Sequence, residues 1–178
     1  MLNLEQDTMN VTDGFLYINN LLEEEVERVA NFYSNGFTNN YIYLTTDGGQ
    51  NTAMNFILDL INKNKNNTTL ILNETVASNG LVLYIKAECK KEVKPNSYAI
   101  AHLLYFNMKI TGYNMDGISS SEVKHLKNLN KELINMYESI GIDKKLINKM
   151  IKGEDVLIDY KFLKKYTDEY NRKNKKLL

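Results

Sequence analysis

The sequence predicts an α/β domain built on a mostly parallel sheet covered by helices. Short β-branched and aromatic runs alternate with amphipathic helical stretches, and the links between them are short. Apolar and charged residues make up 43% and 25% of the chain, which are globular values, and 178 residues suit one domain with its own core. No repeat or linker divides it, so a single domain over residues 1–178 is expected.

Taken in order, Phe15-Leu-Tyr-Ile18 reads as a strand, and Leu22, Val26, Val29 and Tyr33 recur at helical spacing after it. Tyr41-Ile-Tyr-Leu-Thr45 is a second strand, broken by Asp47-Gly48-Gly49, and Met54, Ile57, Leu58 and Ile61 mark a second helix. Thr69-Leu-Ile-Leu72 is a third strand, followed by a mainly apolar helix from about Ser78 to Glu88. Tyr98 to Phe106 reads as another strand, polar only at His102. Beyond it, residues 112–121 are loop-like, and Ser119 or Ser120 is suited to cap a long helix that runs to about Ile140 and ends at Gly141. Asp143 is placed to cap a short helix through Ile151, and Asp159 another to about Tyr166. The basic end, residues 168–178, is expected to be a disordered, solvated tail.

Composition removes several classes of function. Lys and Arg number 22 against 22 Asp and Glu, so a general nucleic-acid binder lacks its basic excess. Cys89 is the single cysteine, which leaves no internal disulfide, Cys-rich zinc site or dithiol redox motif. With His102 and His125 the only histidines, and no metal-loop spacing among Glu23 to Glu25, Glu154 and Asp155, no metal site is expected. Neither the phosphate-loop motif nor the dinucleotide fingerprint occurs, and no cofactor is expected. Apolar runs fall far short of the ~20 residues of a membrane helix, and Met1 to Asp13 has no signal pattern. A cytoplasmic location, or an organelle stroma or matrix equivalent, is the expectation, with no membrane partner.

Three features bear on chemistry, each with a bland alternative. Gly48-Gly49 at a strand-to-helix turn lets main-chain N–H groups approach an anion, or simply supplies positive φ. Ser78 lies at a predicted helix N-terminus, where the dipole and the N–H of Asn79 favour negative charge on an attacked carbonyl; serine there is more often a cap. His102, in an apolar strand, is either a hydrogen-bonded core histidine or a base. His125, beside Lys124 and Lys127, is expected to be exposed.

Together these blocks resemble the proteolytic subunit of the Clp protease, ClpP, within the Clp-protease/crotonase superfamily, from about Phe15 to Tyr166. The family's strand and Pro-Gly-Gly are matched by Tyr41-Ile-Tyr-Leu-Thr-Thr-Asp47-Gly48-Gly49, and its Gly-x-Ala-Ala-Ser-Met-Gly by Glu74-Thr75-Val76-Ala77-Ser78-Asn79-Gly80. Its Pro-Asn-Ser and following histidine recur in Pro95-Asn96-Ser97-Tyr98-Ala99-Ile100-Ala101-His102. The resemblance implies Ser78 as nucleophile, His102 as general base and acid, and the N–H groups of Gly49 and Asn79 as oxyanion hole. It implies a head over about 14–103 and 141–167, and a helical handle over about 104–140 that interdigitates two rings. The implied protein is a serine endopeptidase subunit that cleaves unfolded peptides inside an oligomeric chamber. Its partners would be copies of itself or a paralogous subunit, and an ATP-dependent unfoldase. The alternative is a non-catalytic ring subunit of the same fold; an acyl-CoA enzyme of the crotonase branch is a more distant one.

The chain departs from the family at named positions. Glu74 replaces the first motif glycine, and Leu103-Leu104-Tyr105-Phe106-Asn107 stands where the family has Gln-Pro-Leu-Gly-Gly. Alignment through Ile140-Gly141 puts Met150 at the triad aspartate, with Glu154 and Asp155 just beyond as substitutes. Asp155 is the better one, because the apolar run Val156-Leu-Ile158 after it is suited to return beside the sheet.

Overall fold

The structure, a computed structural model, describes residues 12–105 and 120–175. The chain runs β1 (Asp13–Ile18), α1 (Glu23–Ser34), β2 (Asn39–Thr46), α2 (Asn51–Lys63), a 3-10 turn, and β3 (Thr68–Ala77). It continues with α3 (Asn79–Lys86), β4 (Lys90–Val93), β5 (Tyr98–Ala101), α4 (Ser120–Ser139), α5 (Lys144–Ile151), β6 (Val156–Ile158) and α6 (Tyr160–Asn174). The sheet order is β1-β2-β3-β5-β6, with β4 also on β3. Every pairing is parallel except β5 with β6.

Period-two burial sets the register. Leu16, Ile18, Ile42, Leu44, Leu70 and Leu72 point to one face and are buried in one cluster with residues of α1, α2 and α3. Each such side chain contributes about 1.5–3 kcal/mol relative to exposure. On the opposite face Phe15 stacks on Tyr41 and Tyr17 on Tyr43, with ring centroids 5.4 and 4.8 Å apart. Phe15 is 58% and Tyr17 54% exposed, so this end of the sheet is covered on one face only, among the described residues.

β3 changes partners partway along. Its first half pairs with β4 over Thr69–Leu72 and its second with β5 over Thr75–Ala77, and the register against β2 slips between Leu44 and Thr46. Glu74 lies in the slip with φ 56°. The family glycine is gone, but the left-handed backbone that a glycine serves is kept.

Three expectations are corrected. The predicted strand 98–106 ends at Ala101, because beside it β3 turns into α3 at Ser78 and β6 pairs no further than Val156; residue 106 lies outside the described residues. β4 has no counterpart among the expected elements: Lys90, Lys91 and Glu92 are charged in succession, yet Lys91 is fully buried. The basic end is not a disordered tail over residues 168–174. α6 extends to Asn174, because Asn171 pairs with both backbone groups of Lys91 (3.1 and 2.7 Å) and Tyr170 Oη donates to the carbonyl of Ala87 at 3.1 Å. Residues 176–178 lie outside the described residues, as does the 106–119 portion of the expected handle. The rest of that handle is α4, whose far end rests on the core through Tyr137.

Candidate active site

Parallel strands gather their C-terminal ends, and the sequence puts its chemistry there. Ala77 pairs with Ile100, so Ser78 and His102 leave adjacent parallel strands at the same end of the sheet. Ser78 N–H donates to the carbonyl of Ile100 at 3.1 Å, which ties the turn to β5. Ser78 has φ 53° and ψ −127°, and its side chain makes no capping bond to α3. The commoner role, that of a helix cap, is therefore not the one it has. A left-handed, non-glycine residue at a strand-to-helix turn is costly, on the order of 1–3 kcal/mol, and lifts the side chain clear of the helix.

The surroundings leave little room. A Cβ on Gly48 would lie 2.7 Å from Ser78 Cβ, and one on Gly80 would lie 2.4 Å from Thr46 Cγ2. Gly48 is held with φ 111°, its N–H donating to Thr46 Oγ1 at 3.0 Å. The carbonyl of Gly48 accepts from Leu21 N–H at 3.1 Å and from Thr46 Oγ1 at 3.1 Å. A trans peptide turns its N–H opposite to its C=O, so the N–H of Gly49 faces away from Leu21 and Thr46. It has no partner among the described residues. Asn79 Nδ2 donates to the carbonyl of Gly49 at 2.8 Å, tying the glycine turn to the start of α3. Asn79 is the first residue of α3, and its own N–H has no acceptor within the helix.

His102 is half-buried, with Nδ1 3.0 Å from the carbonyl of Leu103 and its ring 5.4 Å from that of Tyr105. A carbonyl only accepts, so Nδ1 is the donor in this contact, and in the neutral imidazole Nε2 is left with the lone pair. No hydrogen bond joins Ser78 Oγ to His102 among the described residues. His125 is exposed on α4, as expected.

Met150, at the aligned position, supplies no carboxylate. Met150 is fully buried in the core on α5, a place for an apolar side chain. β5 and β6 instead pair Ala99 with Ile158, Ile100 with Leu157 and Ala101 with Val156. His102 and Asp155 are the residues that come next at the open end of this register, one step beyond its last pair. Asp155 is exposed and lies at the entry to β6. Glu154 is exposed one residue earlier.

Beside Asn79 lies a cavity of about 150 Å³ that the sequence did not disclose. Met54, Val82, Leu104, Leu133 and Met136 supply apolar lining, and Lys86 and Glu132 also line it. Its walls come from four separate elements, so no local pattern announces it. Among the described residues, no group of three His, Cys, Asp or Glu side chains is arranged to hold a metal ion. No described helix is long and apolar enough to cross a membrane.

No family model matches the chain, and no curated protein matches it. Among solved structures, a point mutant of ClpP1 from Listeria monocytogenes matches over 88% of this chain and 88% of its own, with a TM-score of 0.63 and 20% identity. The fold is ClpP-like. At that identity the likeness bears on architecture alone, and the mostly parallel sheet with its covering helices agrees with the ClpP resemblance of the three sequence blocks.

Proposed function

We propose that this ClpP-like chain is a serine endopeptidase subunit in which Ser78 is the nucleophile and His102 the general base. The observation that carries the proposal is the backbone of Ser78: a strained φ of 53° at the β3–α3 turn, wedged against Gly48 and free of any capping duty. Such strain persists only where the surrounding structure over-determines it.

Ser78 Oγ would attack the scissile carbonyl while His102 Nε2 takes its proton. The Gly49 and Asn79 N–H groups would face the new oxyanion. His102 would return the proton to the leaving amine, leaving an acyl-serine, and water activated by the same imidazole would release the acid. Asp155 is our candidate to stabilise the imidazolium as it forms, while the Leu103 carbonyl holds Nδ1–H. The cavity beside Asn79, apolar where Met54, Val82 and Leu133 line it, suits an aliphatic side chain of the substrate. The working form would be a ring of this chain, or of this chain with a paralogous subunit, fed with unfolded peptides by an ATP-dependent unfoldase. The exposed aromatic face at Phe15 and Tyr17 is suited to such contacts.

A non-catalytic ring subunit is the second reading, favoured by the absence of a Ser78–His102 hydrogen bond among the described residues. A fluorophosphonate probe on the full chain separates the two. The peptidase is expected to label at Ser78, to lose labelling in Ser78→Ala and His102→Ala, and to slow in Asp155→Asn. Loss of the orienting carboxylate costs as much as ~10⁴ in kcat in the serine-protease template. Labelling that survives Ser78→Ala defeats the assignment; no labelling of the parent replaces it with the non-catalytic reading.

A further inference from the structure

Residues 102–105 leave β5 with no strand alongside among the described residues, and side chains of one helix hold their backbone instead. Asn130 makes a two-point bridge to Leu104: its Oδ1 accepts from the N–H at 2.8 Å, and its Nδ2 donates to the carbonyl at 2.8 Å. About two turns along α4, Tyr137 Oη donates to the carbonyl of His102 at 3.3 Å. Between these two anchors the carbonyl of Leu103 faces His102 Nδ1. Three successive carbonyls are thus each met by a side chain, and two of those side chains belong to α4.

Neither anchor is a surface accident. Asn130 and Tyr137 are both fully buried. Burial holds the Tyr137 phenol well above its ordinary range, so it remains a donor. An amide that satisfies both the N–H and the C=O of one residue acts as a neighbouring strand does, where the sheet has none to offer. The Leu103 carbonyl that selects the His102 tautomer is carried on the backbone these two side chains pin.

We propose that Asn130, assisted by Tyr137, is a positioning residue for His102, holding the 102–104 backbone so that the imidazole keeps one tautomer and one orientation. Whatever shifts α4 along its axis then reaches His102 through these bonds. The inference rests on the base role proposed for His102, but it concerns a geometry that the imidazole itself reports.

The test uses the full chain with labelled histidine. His102 and His125 are the only two histidines, so the imidazole NMR spectrum has two sets of signals, and exposed His125 is the internal reference. The parent is expected to hold His102 in the Nδ1–H tautomer. Asn130→Ala should mix the tautomers and slow fluorophosphonate labelling at Ser78 by about tenfold or more, since small misplacements of a catalytic group cost up to ~10² in rate. Asn130→Asp keeps the acceptor for the Leu104 N–H, and Tyr137→Phe removes only the bond to the His102 carbonyl. Each should give a smaller change of the same kind. Unchanged His102 signals in a folded Asn130→Ala chain overturn the proposal. If that variant does not fold, unchanged signals in the other two overturn it; unfolding of all three shows a purely structural role and overturns it as well. A parent that resists the probe, with tautomers that still mix in the variants, supports the positioning and counts against the peptidase.

Discussion

Lys91 offers a quantitative handle on how α6 is held. Its side chain is fully buried at β4, where Nζ donates to the carbonyl of Ala87 and lies 3.2 Å from the centroid of the Tyr170 ring. The charged and titratable groups around it are Cys89 and Glu88 on its own segment, and Tyr170 and the exposed Asp168 on α6; no carboxylate pairs with it among the described residues. Burial pushes its pKa down from 10.5 to about 7, against the opposing pull of Cys89 and Glu88. A depressed folded pKa means that the unfolded chain binds more protons between those two values, so stability rises with pH across the window. Burial raises the Cys89 thiol to about 11, which costs stability as pH climbs past 9, and the buried tyrosines act in the same sense at still higher pH. The clean interval is therefore pH 7 to 9, over which Lys91 adds about 2 kcal/mol at 1.36 kcal/mol per pH unit, reduced by partial titration near 7. Urea unfolding followed by circular dichroism at pH 7, 8 and 9, at fixed ionic strength, reads this directly. Lys91→Met keeps the length of the side chain and removes the charge, so its stability should be flat over the same interval. The carbonyl of Ala87 keeps the Tyr170 hydroxyl as a donor, so the substitution orphans nothing. A parent with no rise in stability, or a Met variant with the same rise, refutes the reasoning.

Two further outcomes follow from the backbone and the core. Glu74→Gly should stabilise the chain by about 1 kcal/mol in urea unfolding, because relief of left-handed strain at φ 56° outweighs the extra entropy glycine brings to the unfolded state. Met150→Asp, which would place a carboxylate at the aligned position, should instead lower stability by roughly 3 kcal/mol or more and not speed labelling at Ser78, because a fully buried site offers a carboxylate no solvation; a stable variant with faster labelling would contradict this.

Much of this protein is legible locally. Asp143 and Asp159 cap the helices that the sequence assigns them, accepting from Leu146 N–H at 3.0 Å and Phe162 N–H at 2.8 Å, because a cap is decided within four residues. The alternation of strand and helix, the glycine turn at Gly48 and the sharp turn at Ser78 are also short-range: each needs only its own residue types and spacing. Other features depend on what comes alongside. Lys91 enters the core only because α6 lays Tyr170 and Asn171 over β4, and β5 stops at Ala101 only because both neighbouring strands end there. Asp155, which the sequence offers as a substitute carboxylate, comes to the open end of the β5–β6 register beside His102 through long-range pairing, which spacing along the chain does not encode. Asn130 and Tyr137 read as ordinary residues of an amphipathic helix, and only their seat against the 102–104 backbone gives them a bearing on His102. Sequence alone determined most of the elements and the residue types that carry chemistry; tertiary structure decided where β5 and α6 end, that β4 forms, and which groups meet, because hydrogen-bond partners and burial are supplied by segments distant in the chain.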